Sequence, residues 1–180
     1  MIRPLDALDP AGRAAAVGRI EYICVASSGW AGALGGEARV AFFDRWAGGY
    51  LERWPDLALV HGALGQSIDG YLVGCTDSSA AQHLFDDQFY YRAFVARYRD
   101  YPAHFHVNVA PEARNRGVGA ALLEAFAALC RARRCRGVHL VTGARARNRA
   151  FYARNGFTEV ERRSVDGDAL VLLGRSLDGE

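Results

Sequence analysis

The stretch from Val107 to Leu123 constrains this chain more than any other: an alternating apolar strand, a turn rich in arginine and glycine, then an amphipathic helix. Val118, Leu122, Phe126 and Cys130 recur every four residues, the spacing of one buried helix face. Gly117 and Gly119 fall in the first turn of that helix. Glycine lets an anion approach the main chain closely, and the unpaired N–H groups and positive dipole end of the helix favour a phosphate there. Arg114 and Arg116 add fixed positive charge beside it. The stretch is not a Walker loop, since no Lys-Ser/Thr follows, and it lacks the third glycine of a dinucleotide fingerprint.

The remaining pattern predicts a single α/β domain over residues 1–180. Asp9-Pro10 reads as an N-cap followed by proline at the first helical position, with Val17, Ile20 and Cys24 on one face until Ser27-Ser28-Gly29. A second helix is expected over about 37–53, with Val40, Phe43, Tyr50, Leu51 and Trp54 inward and Pro55 as its stop. Two strands at 57–60 and 71–73 follow. Asp77-Ser78-Ser79 is read as the cap of a longer helix reaching Arg99, with Leu84, Phe85, Phe94, Val95 and Tyr98 inward. Beyond the strand at 104–109 and the long helix, strands at 138–141 and 157–160 flank a short helix at 145–154. Asp166-Gly167 then turns a hairpin into 169–173. Four arginines at 131–136 suit a helix C-terminus, with Gly137 as the capping residue.

All 22 basic residues of the 180 are arginine, so lysine Schiff bases and lysine general bases are excluded. Residues 1–110 hold 9 Arg against 12 Asp/Glu, and residues 111–180 hold 13 against 8. That asymmetry suggests an anionic ligand on the C-terminal part, while a net charge of +2 argues against a nucleic-acid protein. Cys24, Cys75, Cys130 and Cys135 have neither CxxC nor metal-ligand spacing and read as reduced thiols of a cytoplasmic chain. No metal site, signal peptide or membrane span is expected.

Two segments carry a family resemblance. Arg114-x-x-Gly117-x-Gly119 resembles the pyrophosphate motif of the GCN5-related N-acetyltransferase (GNAT) family. Phe151-Tyr152-Ala153-Arg154-Asn155-Gly156-Phe157 is similar to that family's C-terminal motif. Residues 101–109 further resemble the acetyltransferase-like domain associated with O-GlcNAcases and its free-standing bacterial relatives. The resemblance implies a mixed sheet of about six to seven strands, flanked by helices and splayed open between its central strands. It divides the domain into a cofactor-binding half at about 104–175 and an acceptor-side half at about 1–103, with a helical insertion at about 77–101. It implies acetyl-CoA as donor and direct transfer to a small amine or a protein or peptide amino group. Val107 and Val109 would pair with the pantetheine arm, and Arg114, Asn115, Arg116, Gly117, Val118, Gly119 and Ala120 would hold the pyrophosphate. Tyr152 would assist the departing thiolate.

The pattern departs from the family in two places. Position 145 is arginine where many relatives have asparagine, leaving Asn148 as the residue one turn before Tyr152. Ala103 stands where some members carry a glutamate base. Strand alternation puts His104, His106 and Asn108 on one face instead, so His106 or His104 is the candidate base and Asn108 a substrate-orienting group. Asp77, Asp86 and Asp87 are candidate ligands for a cationic acceptor. One of Arg145, Arg147 and Arg149 is a candidate for the 3′-phosphate of CoA. These departures also motivate an alternative reading, a catalytically inactive acyl-CoA-binding or protein-interaction module. The acceptor's identity and the oligomeric state, a homodimer included, stay open.

Overall fold

The computed structural model describes residues 1–30, 32–63, 67–81 and 88–178. Seven strands form one mixed sheet in the order β1-β2-β3-β4-β5-β7-β6. They are β1 (Ile2–Pro4), β2 (Leu59–Gly62), β3 (Ile68–Cys75), β4 (Ala103–Val109), β5 (Gly137–Gly143), β6 (Thr158–Val165) and β7 (Asp168–Ser176). The helices are α1 (Pro10–Ser27), α2 (Gly36–Phe43), α3 (Gly49–Arg53), α4 (Val118–Ala132) and α5 (Arg149–Arg154). Chain contacts gather into two compact units, Met1–Gly74 with His106–Phe126, and Cys75–Phe105 with Ala127–Glu180.

In the first unit, β1, β2 and β3 pair antiparallel, with Ile2 opposite His61 and Leu59 opposite Leu72. α1 starts as expected: Asp9 Oδ1 accepts from Gly12 N–H at 2.9 Å, and Pro10 opens the helix. Its Ile20, Ile23, Cys24 and Val25 are buried. The second helix departs from regularity. Between α2 and α3 the residues Asp44–Gly48 form a π turn, and Gly49 N–H bonds back to Asp44 O. An i→i+5 bond adds a residue to the turn and shifts the helical faces. Ala47, Tyr50 and Leu51 are therefore buried, whereas Val40, expected inside, is 58% exposed.

In the second unit the predicted long helix from 77 is not one α-helix. Asp77 Oδ1 accepts from Ser79 and Ala80 N–H in a local turn, and Phe89–Arg97 wind as a 3₁₀ helix. Three residues per turn eclipse Tyr91 with Phe94, which are buried, and leave Val95 41% exposed. Leu84 and Phe85 lie outside the described residues. The hairpin forms as predicted, with Asp166 (φ 49°) and Gly167 (φ 89°) both left-handed between β6 and β7. At the end of α4 it is Arg134 (φ 59°), not Gly137, that takes the left-handed position.

Gly137 serves another purpose. A Cβ there would lie 2.6 Å from Tyr101 Cδ1 and 2.7 Å from the Asp100 carbonyl oxygen; one at Gly174 on β7 would lie 2.6 Å from Tyr101 Cε1. Two glycines on paired strands thus open a slot for one aromatic ring. Beneath it, β4 and β5 run parallel with Ala103 opposite Val138 and His104 opposite His139. Both histidines are fully buried. His139 Nδ1 is 2.7 Å from the Tyr101 carbonyl, and its ring stacks on Tyr98 at 4.9 Å.

Two predictions follow from this packing. Gly174→Ala should cost about 2 kcal/mol, the usual penalty for forcing a methyl into a filled core, read as a lower urea midpoint. Burial also lowers the His139 pKa to about 4 from an ordinary 6.5. The unfolded chain then binds more protons between those values, so stability is complete above pH 6.5 and falls as pH drops toward 4. The loss should reach roughly 3 kcal/mol, measured by urea unfolding across that range, and His139→Gln should flatten the slope.

Candidate functional site

The glycine turn of the first unit is built as a step from strand to helix. Pro111–Ala113 make one 3₁₀ turn, Arg114 is extended, and α4 begins at Val118. Asn115 (φ 62°) and Gly117 (φ 80°) both lie in the left-handed region. Left-handed residues curl the main chain into a concavity where N–H groups can converge on an anion, and the first N–H groups of α4 have no intrahelical acceptor. The turn from Arg114 to Gly117 is exposed, while Ala113 and Val118 on either side anchor it in the core. Gly119 and Ala120 are half-buried in the first turn of α4.

Several contacts fix this step. Gly70 on β3 faces it without a side chain; a Cβ there would sit 3.0 Å from the Asn108 carbonyl oxygen and 3.0 Å from Val118 Cγ1. Ala110 N–H donates to Asp69 O at 2.8 Å. Arg114 Nε donates to Val109 O at 3.3 Å, and Arg19 of α1 pairs with Glu112. His106, Val107, Asn108 and Val109 are all half-buried. Val107 and Val109 lie on the strand face opposite His106 and Asn108.

The polar face of β4 is held by two tyrosines. Tyr50 Oη lies 3.2 Å from His106 Nε2, and Asn108 Nδ2 donates to Tyr71 Oη at 2.9 Å. Tyr71 is fully buried, and burial pushes its pKa well above the ordinary tyrosine value. Its phenol therefore stays protonated beside the amide. The Trp46 ring meets the His106 ring edge-on at 5.2 Å. The sequence pattern marks Tyr50 as a core residue and Tyr71 as a strand residue, and assigns no site role to either or to Trp46. The available signal was the spacing of Phe42, Trp46, Tyr50 and Trp54, each four apart.

The second unit holds the other candidates. His104, read as a candidate base, has no exposed surface: its Nδ1 is 2.7 Å from Ser78 Oγ and 3.1 Å from Cys75 Sγ. Ser78 donates its only proton to Pro102 O at 2.7 Å, so His104 Nδ1–H must donate to Ser78. The His104 imidazole is thus packed within the core. Tyr152 is buried among Phe105, Phe151 and Phe157 with ring centroids 5.1–6.2 Å away, and burial pushes its pKa up to about 12. Asn148 is exposed before α5 and its Oδ1 accepts from Thr142 Oγ1 at 3.1 Å. The Asp77 carboxylate is engaged in its local turn. Asp86 and Asp87 lie outside the described residues. Arg149 is engaged with the Ala144 carbonyl and Glu159 at 2.6 and 2.7 Å, while Arg145 and Arg147 are exposed.

Known structures share this architecture along almost the whole chain. SsHAT is 27% identical, covering 98% of both chains with a TM-score of 0.75. PH1933 from Pyrococcus horikoshii OT3 is 19% identical over 98% of this chain and 97% of its own, with a TM-score of 0.68. A chain of the NatC complex bound to Gag peptide and CoA is 16% identical over 98% and 97%, with a TM-score of 0.61. The last two likenesses concern the fold alone. Curated proteins provide no match. A family model described as the acetyltransferase (GNAT) domain matches residues 68–159, half of the chain, which contain β3, β4, the glycine turn, α4, β5 and α5. With the motif, the turn geometry and the sheet order in agreement, this chain belongs to the GNAT acetyltransferase family.

Proposed function

We propose that this chain is an acetyl-CoA-dependent N-acetyltransferase that transfers acetyl directly to a small amine or to a protein or peptide amino group. The observation that carries the reading is the exposed turn Arg114–Gly117, with two left-handed residues leading into a 15-residue helix. That turn is suited to a pyrophosphate by left-handed residues whose main-chain N–H groups can converge on an anion, by the helix dipole and by Arg114 and Arg116. Asn115, Gly117, Val118, Gly119 and Ala120 would supply main-chain contacts, and Asn148 is a further cofactor contact in this proposal. The main chain of Val107 and Val109 would bind the pantetheine arm as a neighbouring strand would.

Chemically, the amine nitrogen attacks the thioester carbonyl and the C–S bond breaks. His106 takes the proton shed by the nitrogen, directly or through water, and Asn108 orients the acceptor. Burial holds the Tyr152 phenol above its ordinary pKa, so it stays protonated near neutral pH and can donate a hydrogen bond to the departing thiolate. Asp77, Asp86 and Asp87 are retained as candidate contacts for a cationic acceptor, Asp77 with its carboxylate already shared with the main chain. The four cysteines are buried and unpaired, which supports a reducing, cytoplasmic setting. Among the described residues no helix is long and apolar enough to cross a membrane.

Isothermal titration should show CoA and acetyl-CoA binding to the purified protein, and absence of binding would remove the proposal. Arg114→Ala should weaken CoA about 10-fold. Gly117→Ala should weaken it as well, because a Cβ at φ 80° is strained even though open space surrounds it. Tyr152→Phe should lower turnover about 10- to 100-fold with CoA affinity nearly unchanged. A broad amine and peptide screen distinguishes this enzyme from a binding-only relative: acetylation above the hydrolysis background excludes the latter.

A further inference from the structure

Glu112 is the only carboxylate between Ala103 and Leu123, and it stands two residues before Arg114 in the lead-in to the glycine turn. A carboxylate at that point works against anion binding, because it repels a pyrophosphate and offers Arg114 a competing partner. Its side chain is 60% exposed, so burial does not drive it to the neutral form. Its own main-chain N–H, together with Arg19 and Arg114, holds its carboxyl below the usual carboxylate range. Glu112 therefore carries its full negative charge at neutral pH.

Arg19 of α1 meets that charge from a fixed position. Its Nη2 pairs with Glu112, its Nε donates to the Ile68 carbonyl at 3.3 Å, and the guanidinium lies 4.7 Å from the centre of the Tyr22 ring. The first residue of β3, one face of α1 and the 3₁₀ turn Pro111–Ala113 thus hold the same cation from three sides. Next to Ile68, the Asp69 carbonyl accepts from Ala110 N–H at 2.8 Å, which registers the lead-in against β3. Exposed ion pairs are commonly worth little, since two mobile side chains must be ordered together. Here Ile68 and Tyr22 order one partner before Glu112 is reached.

We propose that Arg19 is a positioning residue for CoA binding: it neutralises and occupies Glu112, so that Arg114 and Arg116 keep their charge for the pyrophosphate. This rests on the acetyl-CoA reading of the glycine turn, and adds to it a residue 93 positions before Glu112. The role has a sign that a brace lacks. Losing the Arg19 cation exposes the ligand to an uncompensated carboxylate, while losing the carboxylate as well removes the repulsion. A pair that only braces the turn loosens it to a similar degree whichever partner is lost, and losing both restores nothing.

Calorimetric titration of CoA into the full chain tests this, with urea unfolding of each variant as the check on folding. Arg19→Gln should weaken CoA about 10-fold at low salt, and the loss should shrink at high ionic strength. Arg19→Lys keeps the charge and should retain most of the affinity. Glu112→Gln should bind CoA at least as tightly as the unaltered chain. Combining Arg19→Gln with Glu112→Gln should bring the affinity back to within about 3-fold of the unaltered chain. Weaker binding by Glu112→Gln, no recovery in the double variant, or an unchanged affinity of Arg19→Gln at low salt would each overturn the role of Arg19. Failure of the unaltered chain to bind CoA would instead overturn the acetyl-CoA reading on which it rests.

Discussion

A bare stretch of backbone at Gly70 is the constraint on which the first unit's chemistry depends. With no Cβ on β3 at that point, the Asn108–Val109 main chain and the Val118 side chain come to within ordinary contact of the sheet. That approach sets where β4 ends, where the turn begins and where α4 starts. The Ala110-to-Asp69 hydrogen bond and the Arg19–Glu112 pair then hold the lead-in. Exposed arginines can surround a turn only once the turn has been fixed by something uncharged.

A division of labour among polar residues on β4 is equally consequential. His104 and His106 share a strand face by alternation, yet one is sealed into a core with Ser78 and Cys75 and the other is bracketed by aromatic rings with surface to spare. Nothing in their spacing separates the two. Ser78 decides the matter for His104, since its hydroxyl proton is already given to Pro102 and it can only accept from the imidazole. Tyr152 illustrates a related economy: the aromatic cluster that packs it also keeps its phenol protonated.

Local physics explains what was legible beforehand. The Asp9 cap, the α4 face ending at Cys130 and the Asp166-Gly167 hairpin all arise from neighbours within a few residues, and each appears where the pattern put it. The glycine turn was legible for the same reason. The errors share a different origin. Val40 and Val95 were placed inward on α-helical periodicity, but a π turn and a 3₁₀ segment changed the period. Gly137 looked like a helix cap because its true requirement, room for Tyr101, comes from a residue 36 positions earlier. The hold of Tyr50 on His106 spans 56 positions, and the four-residue spacing of the aromatics around Tyr50 does not say which strand residue they meet.

The slot formed by Gly137 and Gly174 around Tyr101 has a bearing on how this chain can diverge. Shrinking the ring leaves a void, and adding a methyl at either glycine drives that methyl into the ring, so every single step from the present arrangement is uphill. A smaller side chain at 101 does not by itself admit that methyl, because at 137 it still meets the Asp100 carbonyl oxygen at 2.7 Å and at 174 the Val160 side chain at 2.8 Å. Glycine at 137 and at 174 is therefore required whatever side chain stands at 101, and the ring exploits a slot that the main chain and its neighbours already impose.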